Sequence, residues 1–220
     1  MAIVFDGSAS VVRSTDFGAS RPSAYSVGLF VNVDSSASTS TIGNIANLGN
    51  SADHPNDLGD LLLYYGHPNS SNVCRPALHN TGITYNATNT SGSTSKGVWR
   101  HVAVSYAATR LKYFENGTQI GATGNFTTTA GAPSDWYLTL GQRYAGSERL
   151  KCMQAYIGYW DAELNDDEMA ALGKGFSPRL IRPQSLKFFL PGLRNANAVV
   201  GAVGTATSLT YSDDNPRIYA

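Results

Sequence analysis

The segment from Asp53 to Asp60 concentrates hard oxygen ligands in one short stretch. Asp53, Asn56, Asp57 and Asp60 all lie in it. Carboxylate and amide oxygens are the ligands that Ca²⁺ takes in proteins. The spacing does not match an EF-hand, and the alternative is an ordinary solvated Asn/Asp turn. We treat these four residues as a candidate metal site, with calcium as the candidate cofactor.

A second candidate site consists of aromatic and cationic side chains near predicted loops. A sugar can stack on an exposed ring while polar side chains and arginine hold its hydroxyls. Trp136 and Tyr137 open one predicted strand, and Arg143 and Tyr144 follow its end, beside Gly146. Any one of these rings could instead be packing in the core. The four residues are our candidate sugar-binding site.

Motifs of nucleophilic or zinc chemistry are missing from the sequence. Ser, His and Asp are present, but no Gly-x-Ser-x-Gly elbow precedes a helix. Cys74 and Cys152 form no Cys-x-x-Cys pair, so a zinc site of the usual kind is excluded. The two thiols could form one disulfide or stay free. His101, on a predicted central strand, is either a structural histidine bonded across the sheet or, less expectedly, a ligand-binding residue.

Composition and charge exclude two classes of partner. Charged residues make up 15% of the chain and the formal net charge is zero, so the basic footprint of a nucleic-acid-binding protein is absent. No run of apolar residues is long enough to span a membrane. The first residues lack a basic leader and an apolar segment of signal length, so we expect use without Sec export unless a leader is missing from the sequence.

The elements that would position these sites are strands. The alternation of Val102, Val104 and Tyr106 gives one apolar face. Asn116 and Gly117 separate two extended runs, and Asn-Gly favours a type I′ hairpin because both central residues need positive φ. The pattern predicts an antiparallel meander over 98–107, 110–115 and 118–122.

Further strands are expected on both sides of this meander. Apolar residues occupy alternate positions over 25–33, which predicts a half-buried strand, whereas the residues around Asn165 follow a helical pattern. Asn165 can cap a helix and Glu168 can reach back to it, so the acidic cluster 161–168 is interpreted as a helix N-terminus. Gly173 or Gly175 should end that helix. The remaining predicted strands are 2–5, 41–48, 61–65, 73–79, 83–85, 136–140, 154–160, 185–190 and 198–203.

These elements predict an all-β protein, an antiparallel β-sandwich of jelly-roll type with one short helix. Twenty-two glycines and many Ser, Thr and Asn residues between apolar runs suit short strands joined by turns. Sandwiches of this length are routinely one domain. We therefore predict a single domain over 1–220, with a core of about 1–176 and a C-terminal part, 177–220, that adds strands and a tail.

Several motifs, taken in order, resemble the laminin-G-like branch of the concanavalin A-like lectin/glucanase superfamily. They are Phe5-Asp-Gly7, Trp99-x-His101-Val-Ala103, Tyr113-x-x-Asn116-Gly117, Leu140-Gly141 and Tyr159-Trp-Asp-x-x-Leu164 with the helix that follows. The resemblance implies the jelly-roll fold, and it leaves the function open because the fold hosts lectins, glycosidases, adhesion modules and virion proteins.

The resemblance also bears on catalysis. Glycosidases of the superfamily carry a strand of the type Glu-x-Asp-x-x-Glu, whose alternation brings two carboxyl groups to about 5 Å as retaining chemistry requires. No such stretch occurs in this sequence. We therefore expect that the protein is not an enzyme.

The C-terminal segment is similar to concanavalin-like proteins encoded among tailed-phage structural genes. The similarity rests on Leu180-Ile-Arg-Pro183, Leu186-Lys-Phe-Phe-Leu-Pro191 and the final Asn215-Pro216. It implies a non-enzymatic virion structural protein, a capsid decoration or tail appendage at the virion surface, assembled in the host cytoplasm. Its expected partners are other virion proteins or copies of itself, and glycans as a further ligand class. The alternative is a free, extracellular carbohydrate-binding lectin, with or without calcium.

The candidate metal site gives the first testable prediction. Added Ca²⁺ should raise the thermal unfolding temperature relative to a chelator, because a metal bound only by the folded state stabilises it by mass action. The variant Asp57→Asn/Asp60→Asn should lose this increase. Equal melting curves in calcium and chelator for the unmodified protein would refute the site.

Overall fold

The structure, a computed structural model, is an antiparallel sandwich of two β-sheets, which confirms the predicted fold class. It describes residues 2–18, 22–38, 42–49, 61–66, 74–80, 83–86, 95–125, 135–142, 148–192, 200–201 and 203–219. Within this part of the chain one α-helix, α1 (Asp166–Gly173), accompanies the strands, together with short 3₁₀ turns at Pro178–Leu180 and Pro183–Ser185.

The strands are numbered in chain order. They are β1 (Ala2–Asp6), β2 (Val11–Ser14), β3 (Ala24–Val33), β4 (Gly43–Gly49), β5 (Leu61–Tyr65), β6 (Cys74–Asn80), β7 (Ile83–Asn86), β8 (Arg100–Ala107), β9 (Arg110–Glu115), β10 (Thr118–Gln119), β11 (Gly124–Asn125), β12 (Tyr137–Leu140), β13 (Lys151–Trp160), β14 (Leu186–Leu190), β15 (Val203–Thr207) and β16 (Thr210–Ser212).

Each sheet is built from strands that are distant in sequence. The first sheet has the order β10-β9-β8-β3-β13-β1-β16, with β11 paired to β9 and β14 paired to β13. The second has the order β15-β2-β12-β4-β5-β6-β7. Strands β3 and β13 lie at the centre of the first sheet, so their ends bring together loops from different parts of the chain. The C-terminal strands β14, β15 and β16 belong to these same sheets.

The central meander forms as predicted. Strand β8 pairs with β9, and β9 turns into β10 through Asn116 and Gly117, whose φ angles are 48° and 79°. The Asn116 side chain accepts a hydrogen bond from the His101 backbone amide at 3.0 Å, which fastens the turn to β8. Val98, expected within the strand, is 51% exposed, and the strand begins at Arg100.

The main core lies between the two sheets because alternate side chains of each strand point inward. On β3, Val27, Leu29 and Val31 are buried in it. Tyr25 stacks on Tyr106 with ring centroids 4.9 Å apart. The pattern read from the sequence therefore identifies the inward face of β3 correctly.

A second apolar cluster covers the outer face of the first sheet. Helix α1 supplies Met169 and Leu172, which pack with Trp160, Phe114 and other buried side chains. The Ser26 hydroxyl of β3 accepts from the Leu164 amide at 2.9 Å and donates to the Ala162 carbonyl at 2.9 Å. These bonds hold the segment before the helix against the sheet.

Local interactions fix the helix start as the sequence predicts. Asn165 accepts from the Glu168 amide at 2.9 Å, and Glu168 accepts from the Asn165 amide at 2.8 Å, which is a capping box. Arg182 pairs with Glu168 at 2.6 Å. Gly175, with φ 91°, takes the predicted left-handed conformation after the helix. Strands β2, β11 and β16 were not predicted, and of the described residues in the predicted strand 198–203 only Val203 lies in a strand, as the first residue of β15.

The helix approaches the hairpin at β9 and β10 closely enough to forbid a side chain at Gly173. A Cβ there would lie 2.2 Å from the Gly117 backbone nitrogen and 2.3 Å from the Asn116 carbonyl carbon. Backbone atoms cannot rotate away, so the contact requires glycine.

Gly173→Ala should therefore lower the free energy of unfolding by about 1–3 kcal/mol, as overpacking does. Helix propensity alone predicts the opposite sign, a gain of about 0.5–1 kcal/mol. Urea denaturation measures the difference, with Ala171→Gly to calibrate the propensity effect in the same helix. A stabilised Gly173→Ala variant would contradict the described packing.

Candidate functional site

A polar pocket opens at one rim of the sandwich, where β1 and β3 end and where β4 and β13 begin. Its volume is about 220 Å³. We call it the rim pocket and define it by its lining residues: Asp6, Gly7, Ser36, Ala37, Ser38, Gly43, Arg149, Leu150 and Lys151. The register of the first sheet creates it, because Asp6 pairs with Lys151 and Val33 pairs with Cys152 across neighbouring strands.

One wall of the rim pocket is the turn that starts at Asp6. The Asp6 carboxylate accepts from the Ser8 amide at 2.8 Å, from the Ser8 hydroxyl at 2.6 Å and from the Ala9 and Ser10 amides at 3.2 and 3.3 Å. These bonds, led by the Ser8 hydroxyl, hold the pKa of Asp6 well below its usual range. The carboxylate is thus ionised and its turn is fixed.

The opposite wall is the turn after β3. Asp34 accepts from the Ser36 amide at 2.8 Å and from the Ser36 hydroxyl at 2.5 Å, and these bonds lower the pKa of Asp34. Lys151 donates to the Ser36 hydroxyl at 3.2 Å and lies 3.4 Å from Asp34. Lys96 donates to the carbonyl oxygens of Ala37 at 2.5 Å and Ser35 at 3.4 Å. Lys151 and Lys96 therefore hold this turn in place.

The third wall is the segment that leads into β13. Arg149 donates through Nε to the Gln142 side chain at 3.2 Å. Asn44 donates through its side chain to Glu148 at 2.7 Å, and its backbone amide donates to the Glu148 carbonyl at 2.6 Å. These bonds fix Glu148 and Arg149 against β4 and Gln142.

The rim pocket combines donors and acceptors that are already held in place. Arg149 uses Nε for its bond to Gln142, so its two terminal guanidinium nitrogens remain for a ligand. The Lys151 side chain is 47% exposed. Hydroxyl and carboxylate oxygens surround these cations. Such a set matches a ligand that presents several hydroxyls or an anionic group.

The structure describes two of the four residues of the predicted sugar site, Trp136 and Tyr137. Trp136 is 1% exposed and its indole N–H donates to the Tyr159 hydroxyl at 3.2 Å, so its ring has no face open to a sugar. The prediction for Trp136 is corrected: the position precedes a strand, and its side chain turns into the core beside Tyr25. Tyr137 is half-buried at the start of β12, opposite Gly49.

The other predicted site residues lie outside the described residues. Arg143 and Tyr144 fall between Gln142 and Glu148, in the part of the sequence that the structure does not describe. Their role in sugar binding stays a prediction.

The candidate calcium ligands are likewise outside the described residues. Asp53, Asn56, Asp57 and Asp60 all fall in the segment before β5. Calcium binding there stays a prediction.

Sequence reasoning missed the rim pocket residues as a group. Asp6-Gly7 forms part of a sequence motif of the fold, and no sequence motif includes Ser36, Arg149 or Lys151. They are far apart in sequence and meet only through strand register, so no local signal marks them.

A second polar cleft, which we call the α1 cleft, has a volume of about 430 Å³ and lies between β9 and the start of α1. Four of its charged residues are paired, Arg110 with Glu163 at 3.4 Å and Lys112 with Asp166 at 2.8 Å. Asp167, which also lines the cleft, belongs to the acidic first turn of α1, so the capping interpretation of this acidic cluster is confirmed.

The two cysteines do not pair. Cys74 on β6 and Cys152 on β13 are both buried, and no disulfide joins them. Burial raises the pKa of the Cys152 thiol to about 12, so a reactive thiolate does not form at neutral pH.

His101 is buried, as a structural residue should be, but it is not bonded across the sheet. It is 1% exposed, and neither ring nitrogen has a hydrogen-bond partner among the described residues. Phe30 packs on it at 5.2 Å between ring centroids. Burial lowers the pKa of His101 to about 3, so the ring is neutral in the folded state.

The family of the chain follows from its sequence as well as from this fold. A laminin G family model, described as the concanavalin A-like lectin/glucanases superfamily, matches residues 6–170. The match covers more than half of the 220 residues, so the chain belongs to this superfamily. A search of curated proteins finds no significant match.

Solved structures of low sequence identity share the fold. A heptameric SAP-like pentraxin from Limulus polyphemus has a TM-score of 0.62 at 15% identity, covering 97% of this chain and 92% of its own. A candidate carbohydrate binding protein from Bacteroides ovatus has a TM-score of 0.67 at 13% identity, and this chain, covered completely, spans 62% of its length. The CBM40 of a Ruminococcus gnavus sialidase, bound to α2,3-sialyllactose, has a TM-score of 0.52 at 17% identity, with 73% and 93% covered.

Among the described residues, no helix is long and apolar enough to cross a membrane.

The neutral, buried His101 predicts a pH dependence of stability. His101 binds a proton near pH 6.5 in the unfolded chain and only near pH 3 in the folded chain. The free energy of unfolding should therefore fall as the pH drops below about 6.5, by up to about 1.4 kcal/mol per pH unit. Asp6 and Asp34 contribute only at lower pH, since their unfolded carboxyls titrate near 4. Urea denaturation between pH 7 and pH 5 should show the slope, and His101→Leu should remove it. An unchanged slope in that variant would assign it to other groups.

Proposed function

We propose that this chain is a non-enzymatic carbohydrate-binding module and that the rim pocket is its sugar site. The observation that carries the proposal is the convergence of Arg149, Lys151, Ser36 and Asp6 in one pocket of fixed turns. Binding groups that are held before the ligand arrives lose little conformational freedom on binding. Arg143 and Tyr144, which the sequence predicts as sugar-binding residues and which follow Gln142 in the chain, would add a guanidinium and a ring to this site.

The fold neighbours support the same class of ligand. One of them is a carbohydrate-binding module bound to α2,3-sialyllactose, and another is a candidate carbohydrate binding protein. At 17% and 13% identity, these neighbours support a class of ligand and not a particular sugar.

The chemistry of the pocket argues against glycoside hydrolysis. A general acid needs a carboxyl whose pKa is raised by its surroundings. Asp6, which lines the rim pocket, and Asp34, in the turn that forms its opposite wall, have lowered pKa values because hydroxyl and amide donors hold their ionised forms. Both act as structural anchors of their turns.

The biological setting that we propose is the surface of a virion. The tail similarity to phage structural proteins supports a capsid decoration or tail-appendage role, with assembly in the host cytoplasm and partners among virion proteins or copies of itself. The chain would act there as a single domain over 1–220, as its length suggests. The alternative is a free extracellular lectin. Light scattering and a glycan array separate the two: a defined oligomer with a silent array favours the assembly role, and a sugar-binding monomer favours the lectin.

The sugar site is tested by a matched pair of lysines. Lys151→Ala should weaken binding of the best array sugar about tenfold or more in calorimetry, because a charge-assisted hydrogen bond contributes about 1.5–3 kcal/mol. Lys187→Ala is the control, since Lys187 has the same 47% exposure and is also paired with an aspartate, Asp161. Equal affinities of the two variants would place the sugar elsewhere.

A further inference from the structure

An apolar and basic surface lies where the C-terminal segment pairs with the residues after α1, through a parallel bridge between Phe176 and Tyr219. Most of the large apolar side chains that the structure leaves exposed are found here: Phe176 is 42% exposed, Leu180 56% and Tyr219 61%. Exposed basic side chains accompany them. We call this surface the C-terminal patch and define it as Lys174, Phe176, Arg179, Leu180, Arg217 and Tyr219.

The backbone holds the C-terminal patch in one arrangement. The Tyr219 amide donates to the Gly175 carbonyl at 2.6 Å, and the Ser177 amide donates to the Tyr219 carbonyl at 3.1 Å. These bonds set the rings of Phe176 and Tyr219 6.0 Å apart between centroids. A Cβ on Gly175 would lie 2.5 Å from the Arg217 carbonyl oxygen, so the two segments meet with no room for a side chain.

Each of the two segments has buried residues that anchor it and exposed residues that face outward, and burial alternates along the C-terminal one. Pro216 is buried and Ile218 half-buried, whereas Arg217 and Tyr219 between and after them are exposed. Pro178 is buried next to the exposed Arg179. The inner side chains anchor the segments, and the outer ones are displayed on a fixed support.

The cations of the patch differ from the other basic residues of the described chain. Lys174, Arg179 and Arg217 make no ion pair and no side-chain hydrogen bond within the described residues. Ion pairs within the same part of the chain engage Arg100, Arg110, Lys112, Lys151, Arg182 and Lys187. The patch therefore carries three uncompensated positive charges in a protein whose net charge is zero.

The combination specifies the chemistry of a partner. Exposed aromatic side chains with arginine are the composition of protein–protein interface hot spots. Uncompensated cations around them select a partner of negative charge. Neither the rim pocket nor the α1 cleft includes any of these residues, so the patch is a surface and not part of the proposed sugar site.

We propose that the C-terminal patch is a docking surface for an acidic polypeptide segment of another protein. The segment would set a large apolar side chain against Phe176 and Tyr219, and its carboxylates would pair with Arg179, Arg217 and Lys174. This inference does not depend on sugar binding, because the two surfaces share no residue.

The test uses a fluorescein-labelled peptide in which glutamates alternate with leucine and tryptophan, titrated with the full chain and followed by fluorescence anisotropy. Arg179→Glu/Arg217→Glu should weaken binding at least about tenfold, as should Phe176→Ala/Tyr219→Ala. Arg110→Glu/Lys112→Glu makes the same change of charge on β9 and should leave the affinity unchanged. A peptide with glutamine in place of glutamate should bind at least about tenfold more weakly.

Several outcomes would overturn the proposal. Absence of peptide binding, or equal binding by all variants, would refute the docking surface. Patch-dependent binding of anionic vesicles or of an acidic polysaccharide, without peptide binding, would assign the patch to another class of partner. A dimer in light scattering that Phe176→Ala abolishes would identify a second copy as the occupant. Circular dichroism checks each variant, and the charge and ring variants serve as independent tests if one of them fails to fold.

Discussion

The first sheet must be covered on both faces, and the rest of the structure depends on this constraint. Strand β3 is buried along nearly all of its length. The second sheet covers its inner face, and α1 with the segments around it covers the outer face. The outer layer approaches closely because small residues stand at the contact, Gly173 against Gly117 in particular. His101 lies under this outer layer, and it is buried and uncharged because the layer packs closely on the sheet.

This double cover fixes the ends of the central strands, and the rim pocket is built on those ends. Asp6 ends β1, Asp34 follows β3 and Lys151 begins β13, so the pairing register sets their separations. Each carboxylate then fixes its own turn through hydroxyl and amide donors. The proposed sugar site thus takes its rigidity from the core rather than from the loops themselves, which is the usual relation between a binding loop and its scaffold.

Features that depend on neighbouring residues could be predicted from the sequence, whereas features that depend on strand register or core packing could not. The meander, the Asn116-Gly117 turn and the Asn165 cap were predicted because each depends on neighbours in sequence. Trp136 was misplaced because a ring at the start of a strand can face either way, and only the packing with Tyr159 decides. The rim pocket was missed because Asp6 and Lys151 meet only through register.

The central claim is that a sugar binds at the rim pocket, and the most direct measurement is an NMR titration of the ¹⁵N-labelled protein with the tightest sugar from the array. The account predicts that the largest amide shifts fall on residues 6–9, 34–38 and 148–151. Shifts concentrated at the α1 cleft, around Lys112 and Asp166, or at the C-terminal patch would contradict it. Amide shifts are read residue by residue, so the result locates the site without any substitution.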